Sequence, residues 1–199
     1  FEGSEGSGKS TQIALIEAEL RKRGSDVLLI REPGGVKISE LIRKVLLDVK
    51  NTEMNNECEV LLYMAARAQL VGEVIRPALA CGKIVLCDRF LDSTVVYQGY
   101  GHGMDLKTIQ DIGVFATQGV RPDMTLLFDI ETEEGLRRAG KNKDRIEQRS
   151  LDYHKRVRTG YLRLAKEDPG RFKVVRVDRS KEEIFQEVKA HIEHCLSQQ

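Results

Sequence analysis

The sequence predicts an α/β fold, a parallel sheet with helices on both faces. Three observations predict it. Four short apolar runs rich in β-branched residues recur along the 199 residues. Segments with helical periodicity alternate with them. A glycine-rich turn of defined spacing stands at the start, directly ahead of the first helical segment. Short apolar runs of this kind read as strands buried on both faces, and their alternation with helices implies βαβ units with right-handed crossovers.

The first element is the turn itself, "FEGSEGSGKST", in which Gly3, Gly8, Lys9 and Ser10 fit G-x-x-x-x-G-K-[ST]. Such a turn should follow a buried strand, and only Phe1 and Glu2 precede it. The expectation is therefore a first strand whose remaining residues lie upstream. "TQIALIEAEL" continues as a helix, Thr11 to Arg23, stopped by Gly24. The predicted strands are Asp26 to Glu32, Lys83 to Phe90, Met124 to Ile130 and Phe172 to Val177. The predicted helices between and after them are Ile38 to Leu47, Glu57 to Cys81, Asp105 to Gln118, Glu133 to Arg138, Ile146 to Lys166 and Lys181 to Leu196. With the incomplete first strand, the expected sheet has five strands. No repeat, low-complexity tract or linker interrupts the chain, so one domain is expected over residues 1–199. The charged segment from about Arg137 to Arg149, poor in apolar anchors, is the expected lid.

Bulk composition narrows the function. With 41% hydrophobic and 32% charged residues, the chain suits a single domain with an ordinary core. A net charge of +1 supplies no global field for nucleic acid or membrane, so anion affinity must come from local clusters. No apolar run is long enough to span a bilayer, and no signal peptide is visible. Cys58, Cys81, Cys87 and Cys195 form no C-x-x-C pair, which points to reduced thiols in a cytoplasmic setting. "HIEHC" places His191, His194 and Cys195 together, but nothing completes a tetrahedral set.

The opening turn carries the chemistry. Its backbone N–H groups can converge on phosphate oxygens, Lys9 adds a mobile cation, and the Ser10 hydroxyl can ligate Mg²⁺. The following helix directs its N-terminal dipole at the same anion. A phosphate loop alone does not choose between a switch GTPase, an ATPase and a small-molecule kinase. "NKDR" (Asn142 to Arg145) resembles the guanine-reading N-K-x-D but carries Arg in place of the Asp. The apolar run "IVLC" ends in Asp88, which can steer Mg²⁺, and Arg89 follows at once. Ligands of open α/β sheets gather outside such strand ends.

"DRFLDSTVVYQG" (Asp88 to Gly99) resembles the signature of the thymidylate kinases. "REPGG" (Arg31 to Gly35), "YMAARAQL" (Tyr63 to Leu70), "RPD" (Arg121 to Asp123) and "DRIE" (Asp144 to Glu147) resemble further motifs of that family, in the right order. The resemblance runs from Gly3 to about Val177. It implies a P-loop NTPase fold with strand order 2-3-1-4-5. It also implies transfer of the ATP γ-phosphoryl group to dTMP, giving dTDP and ADP with Mg²⁺, by a cytoplasmic homodimer. The rival readings are another nucleoside monophosphate kinase and a non-catalytic P-loop nucleotide-binding protein.

The same resemblance assigns roles. Gly3, Ser4, Glu5, Gly6, Ser7, Gly8, Lys9, Ser10 and Thr11 would hold ATP, with Ser10 and Asp88 toward the metal. Arg89 resembles the arginine that bridges the acceptor and the transferred phosphate. The loop interior "SEGS" has no arginine, so the lid should supply one. Arg138 and Arg145 are the candidates, with Arg137, Lys141 and Lys143 as further positive charges. Glu5 would face the acceptor's 3′-hydroxyl, and Tyr97 would lie against C2′. Tyr63 and Arg67, four apart on one helix face, would stack and hydrogen-bond the base. Thr94 and Gln98 would read its edge, and Arg43 would help hold the acceptor phosphate. Glu32, Pro33 and Ser93 complete the expected acceptor set. Two anions must be brought together, and an acceptor that is already an anion requires no general base. Focal cations rather than a catalytic triad are what the chemistry needs.

Overall fold

The computed structural model of the chain describes residues 1–140 and 144–198. Lys141, Asn142 and Lys143 of the expected lid, and with them most of the "NKDR" element, lie outside the described residues.

Two parallel ribbons form the sheet layer. Strand β1 (Val27–Arg31) pairs with β2 (Ile84–Asp88), Val27 opposite Ile84 and Arg31 opposite Asp88. Strand β3 (Thr125–Asp129) pairs with β4 (Phe172–Arg176), Thr125 opposite Phe172 and Asp129 opposite Arg176. All four expected strands form, the first three trimmed at both ends and the fourth at its carboxyl end only. The N-terminal residues lie between the ribbons. The Phe1 amino group donates to the Cys87 carbonyl at 2.9 Å, and the Glu2 N–H donates to the Leu126 carbonyl at 2.8 Å. The Phe128 N–H donates back to the Glu2 carbonyl, also at 2.8 Å. Only a single bridge, Glu2 to Leu127, results, so the described residues form two two-stranded sheets rather than one of five strands.

Helix α1 (Lys9–Lys22) starts directly after Gly8 and lays Ile16 and Leu20 against Leu126, Phe128 and Val175. Helix α9 (Lys181–Leu196) covers the same cluster with Ile184, Val188 and Ile192. It begins in a reciprocal capping box between Ser180 and Glu183, which satisfies two otherwise unpaired N–H groups. Helix α2 (Lys37–Leu47) follows the "PGG" turn.

Two expectations about helices change, and one helical segment has no counterpart among the expected elements. The segment Glu57 to Cys81 is not one regular helix. It is α3 (Asn56–Leu70), a π-helical stretch over Val71–Ile75, and α4 (Arg76–Ala80). Pro77 lies in the first turn of α4 and has no N–H to donate backward, which widens the ladder ahead of it. The segment from Ile146 is not helical until α8 (Leu151–Glu167). The Asp144 carboxylate accepts the N–H groups of Ile146 and Glu147, both at 2.9 Å, and this local bonding replaces a helical start. Finally, the residues after β2 fold as α5 (Leu91–Thr94) and a π-helix over Val95–Gly101, which the β-branched pair and the glycines concealed. Helix α6 (Leu106–Thr117) and α7 (Thr132–Ala139) stand where expected.

Candidate active site

A cleft of about 330 Å³ opens at the carboxyl ends of β1 and β2. Gly6, Lys9 and Ser10 line one part of it. Glu32, Pro33, Arg43, Tyr63, Arg67, Ser93, Thr94, Tyr97 and Gln98 line another, with Glu5, Asp88 and Arg89 also on the wall. A separate cavity of about 340 Å³ between β2 and β3, lined by residues such as Leu86, Leu126 and Leu196, contains none of the phosphate-loop cations.

The loop geometry follows from its glycines. Gly6 has φ +68°, and a Cβ there would stand 2.1 Å from the Gly135 carbonyl and 2.9 Å from the Arg138 Cβ. Only a hydrogen fits, so α7 sits directly on the loop and brings the base of Arg138 beside it. Lys9 is buried and donates to the carbonyls of Gly3 at 2.8 Å and Ser4 at 3.0 Å. Burial first, and then the Arg89 guanidinium, push its ammonium down to about 8. The Ser10 hydroxyl donates to Asp88 Oδ2 at 3.2 Å, which joins the start of α1 to the end of β2. Gly3, Ser4, Ser7, Gly8 and Thr11 complete the turn and the first turn of α1 without lining the cleft.

Arg89 is one of the two described non-glycine residues with positive φ, at 68°. Such a backbone costs on the order of 1 kcal/mol or more and is typical of positions where function over-determines geometry. Its guanidinium donates to Ser93 Oγ at 3.2 Å, Tyr161 Oη at 3.3 Å and Glu5 Oε1 at 3.2 Å, and lies 5.0 Å from the Tyr97 ring centre. Burial opposes its charge, but Tyr97, Tyr161 and Glu5 overcome that and hold it well above the usual arginine value. Glu5 accepts from Tyr97 Oη at 2.5 Å, and its other oxygen lies 3.5 Å from His154 Nδ1. Burial raises the Glu5 carboxyl, and the His154, Arg89 and Tyr97 contacts outweigh it, so the group sits well below the usual carboxylate range.

On the acceptor side, Arg67 is fully buried and accounts for its guanidinium with Glu32 at 2.7 Å, Thr94 Oγ1 at 3.1 Å and the Phe90 carbonyl at 3.0 Å. Burial nonetheless pushes Glu32 up to about 7 against the pull of Arg67, and its second oxygen has no partner among the described residues. Arg43 Nη1 donates to the Pro33 carbonyl at 2.9 Å.

Two expected lid cations separate. Arg138 pairs with Glu134 at 2.7 Å on the exposed side of α7, next to the phosphate loop. Arg145 is buried and lies off the cleft, donating to the Leu46 carbonyl at 2.7 Å and pairing with Glu59 at 2.6 Å. This placement differs from the expected γ-phosphate cation, because a wholly buried carboxylate claims the guanidinium. Arg137 pairs with Glu134 at 2.7 Å and is exposed.

The sequence reading missed Glu2, Tyr161, His154 and Glu59. Glu2 accepts from the Phe90 N–H at 2.7 Å, Ser93 Oγ at 2.6 Å and Tyr161 Oη at 2.6 Å, and so braces the turn that carries Arg89. An acid within a buried strand end was the available signal. Tyr161 and His154 come from α8, whose contact with the site no local pattern announces.

Fold and site together define an α/β phosphotransferase of the P-loop kind. Comparison with known proteins narrows that class. A model of the thymidylate kinase family matches residues 1–188. The chain is 51% identical to a thymidylate kinase of Geotalea daltonii, covering 88% of this chain and 86% of that protein. It is 49% identical to one from Desulforudis audaxviator, covering 90% and 82%. A crystal structure of thymidylate kinase from Ehrlichia chaffeensis superposes with a TM-score of 0.80 at 34% identity, covering 97% of this chain and 96% of that one. The chain belongs to the thymidylate kinase family. Its activity is the family's, phosphorylation of dTMP by ATP in dTTP synthesis.

Proposed function

We propose that two nucleotides meet tail to tail in the cleft, ATP on the phosphate loop and dTMP between α3 and the Val95–Gly101 stretch. The observation that carries this reading is the joining of the two halves through one residue. Arg89 adjoins Asp88, which bonds the phosphate-loop Ser10, and its guanidinium bonds Glu5 of the phosphate loop and Ser93 on the acceptor side.

In this reading Gly3 through Thr11 cradle the ATP phosphates and Lys9 leaves its carbonyl partners to bind the β- and γ-phosphates. Arg89 spans the acceptor phosphate and the group in flight, for which its planar fork suits better than an ammonium. Arg43 supports the acceptor phosphate, beside Pro33. Glu5 faces the 3′-hydroxyl, and Tyr97 excludes a ribose 2′-hydroxyl. Tyr63 and Arg67 take the base, with Glu32 orienting Arg67, and Thr94 and Gln98 read its edge. Arg138 is the lid cation, and Arg145, later in the same charged segment, is held by Glu59. The site fits Mg²⁺: Ser10 Oγ and Asp88 Oδ2 are hard oxygen donors 3.2 Å apart. When bound there, the ion would neutralise charge on the phosphates.

The wider arrangement is proposed on related grounds. The hydrogen bonds of Phe1 and Glu2 to both ribbons support one sheet in the order β1, β2, N-terminal residues, β3, β4, within a single domain. Exposed Leu61 at 57%, Val114 at 60% and Phe115 at 83% support a homodimer through α3 and α6. Four free cysteines suit a reducing cytoplasm. No helix among the described residues is long and apolar enough to cross a membrane.

A coupled ADP-release assay with dTMP, dUMP, dCMP and dGMP tests the reading. The expected result is turnover strongly favouring dTMP. Equal turnover on dGMP or dCMP, or none on any, would overturn it.

A further inference from the structure

Glu59 on α3 is wholly buried, and the phosphate chemistry does not use it. Four groups from two later segments converge on its carboxylate. Gln98 Nε2 donates to Oε1 at 2.8 Å, and His102 Nε2 lies 3.2 Å from the same oxygen. Arg145 and Arg149 approach Oε2 at 2.6 and 3.5 Å. Burial alone would raise this carboxyl. The His102 and Gln98 hydrogen bonds and the Arg145 charge reverse that and bring it down to about 2. The group is therefore ionised at neutral pH.

An ionised carboxylate accepts and cannot donate, whereas a glutamine amide has one donating and one accepting end. Gln98 can thus turn only its NH₂ toward Glu59. Among the described residues its Oε1 takes no hydrogen bond, and Gln98 lines the cleft. The side chain is almost fully buried, so both ends of the amide need partners.

We propose that Glu59 is a positioning residue for base recognition: by holding the Gln98 NH₂, it leaves the cleft an acceptor, Oε1, matched to a pyrimidine whose N3 carries a hydrogen. Thymine and uracil carry that hydrogen. Cytosine presents a lone pair at N3 and meets the Gln98 oxygen unfavourably. Arg145 then keeps Glu59 an acceptor only, which gives this buried arginine a task other than phosphate contact. The inference rests on the reading above that Gln98 faces the base.

The experiment measures kcat/KM and calorimetric Kd for dTMP, dUMP and dCMP on the full chain. The variants are Glu59→Gln and Gln98→Leu, with Glu59→Gln/Arg145→Met in reserve. A glutamine at 59 can donate as well as accept, so Gln98 is free to turn over. The double variant also removes the buried cation, which keeps the test available if the single variant does not fold. The expected result is a dTMP-to-dCMP ratio reduced about tenfold or more by Glu59→Gln, with dUMP tracking dTMP. A purely structural role would lower all three substrates by one factor and leave the ratio unchanged. That outcome, with the ratio still reduced by Gln98→Leu, overturns the inference. If Gln98→Leu also leaves the ratio unchanged, the base-pocket reading itself fails.

Discussion

Arg89 Nη2 lies 3.2 Å from Glu5 Oε1, so a carboxylate inside the phosphate loop holds the guanidinium at the end of β2. An acid beside an ATP site is otherwise unfavourable. Here it is the counter-charge that fixes the Arg89 guanidinium between the phosphate loop and Ser93, with Tyr97 and His154 holding the acid in turn.

Arg89→Lys keeps the charge and loses the fork. Lysine cannot span Glu5, Ser93 and two phosphates at once. The expected outcome is a fall in kcat of about a hundredfold in a coupled ADP-release assay, with folding intact by circular dichroism. Near-normal turnover would remove Arg89 from the site.

Arg138 and Arg145 should part in their effects. Arg138→Ala removes an exposed cation beside the loop, and single-turnover phosphoryl transfer should slow about a hundredfold with little change in stability. Arg145→Ala takes from the buried Glu59 carboxylate the nearer of its two arginines, leaving Arg149 at 3.5 Å. Urea unfolding should show a loss of about 3–5 kcal/mol. The reverse pattern would exchange their roles.

Glu32 gives the nucleotide-free protein a pH signature. Its folded value of about 7 lies above the ordinary 4.5 because burial disfavours the charge. The folded state therefore holds the proton more tightly than the unfolded chain. The resulting stability is full below the unfolded value and is lost as pH rises through about 7. The slope is at most about 1.4 kcal/mol per pH unit for one proton. Denaturant titrations between pH 5 and 8 should show this decline in the wild type and a flatter profile in Glu32→Gln. Identical slopes would contradict the assignment.

Gly6→Ala tests the close seat of α7 on the phosphate loop. Its Cβ would meet the Gly135 carbonyl at 2.1 Å, on a backbone with φ +68°. The helix must move or the loop must open. The KM for ATP should rise severalfold or more, while the Kd for dTMP changes little.

Much of this was legible beforehand, for identifiable reasons. Lys9, Ser10, Asp88 and Arg89 follow from short-range spacing and from a strand that ends in charge. The strands were readable because apolar β-branched runs bounded by turns leave few alternatives. The lid was not. Arg145 reads as one more cation in a basic segment, and its capture by Glu59, 86 positions earlier, is a long-range fact. The break of the long helix at Val71–Ile75 could have been read from Pro77. The π-helix carrying Tyr97 and Gln98 could not, since its Val-Val and Gly residues disfavour a regular helix and only packing against α8 explains it.

The proposed transfer runs directly between two bound nucleotides, with the protein supplying position and charge and no covalent relay. The most direct test is the stereochemical course of thiophosphoryl transfer to dTMP from ATP made chiral at its γ-thiophosphate by oxygen isotopes. Inversion at phosphorus is expected, the result of one in-line displacement. Retention would require a phosphorylated protein intermediate and would contradict it.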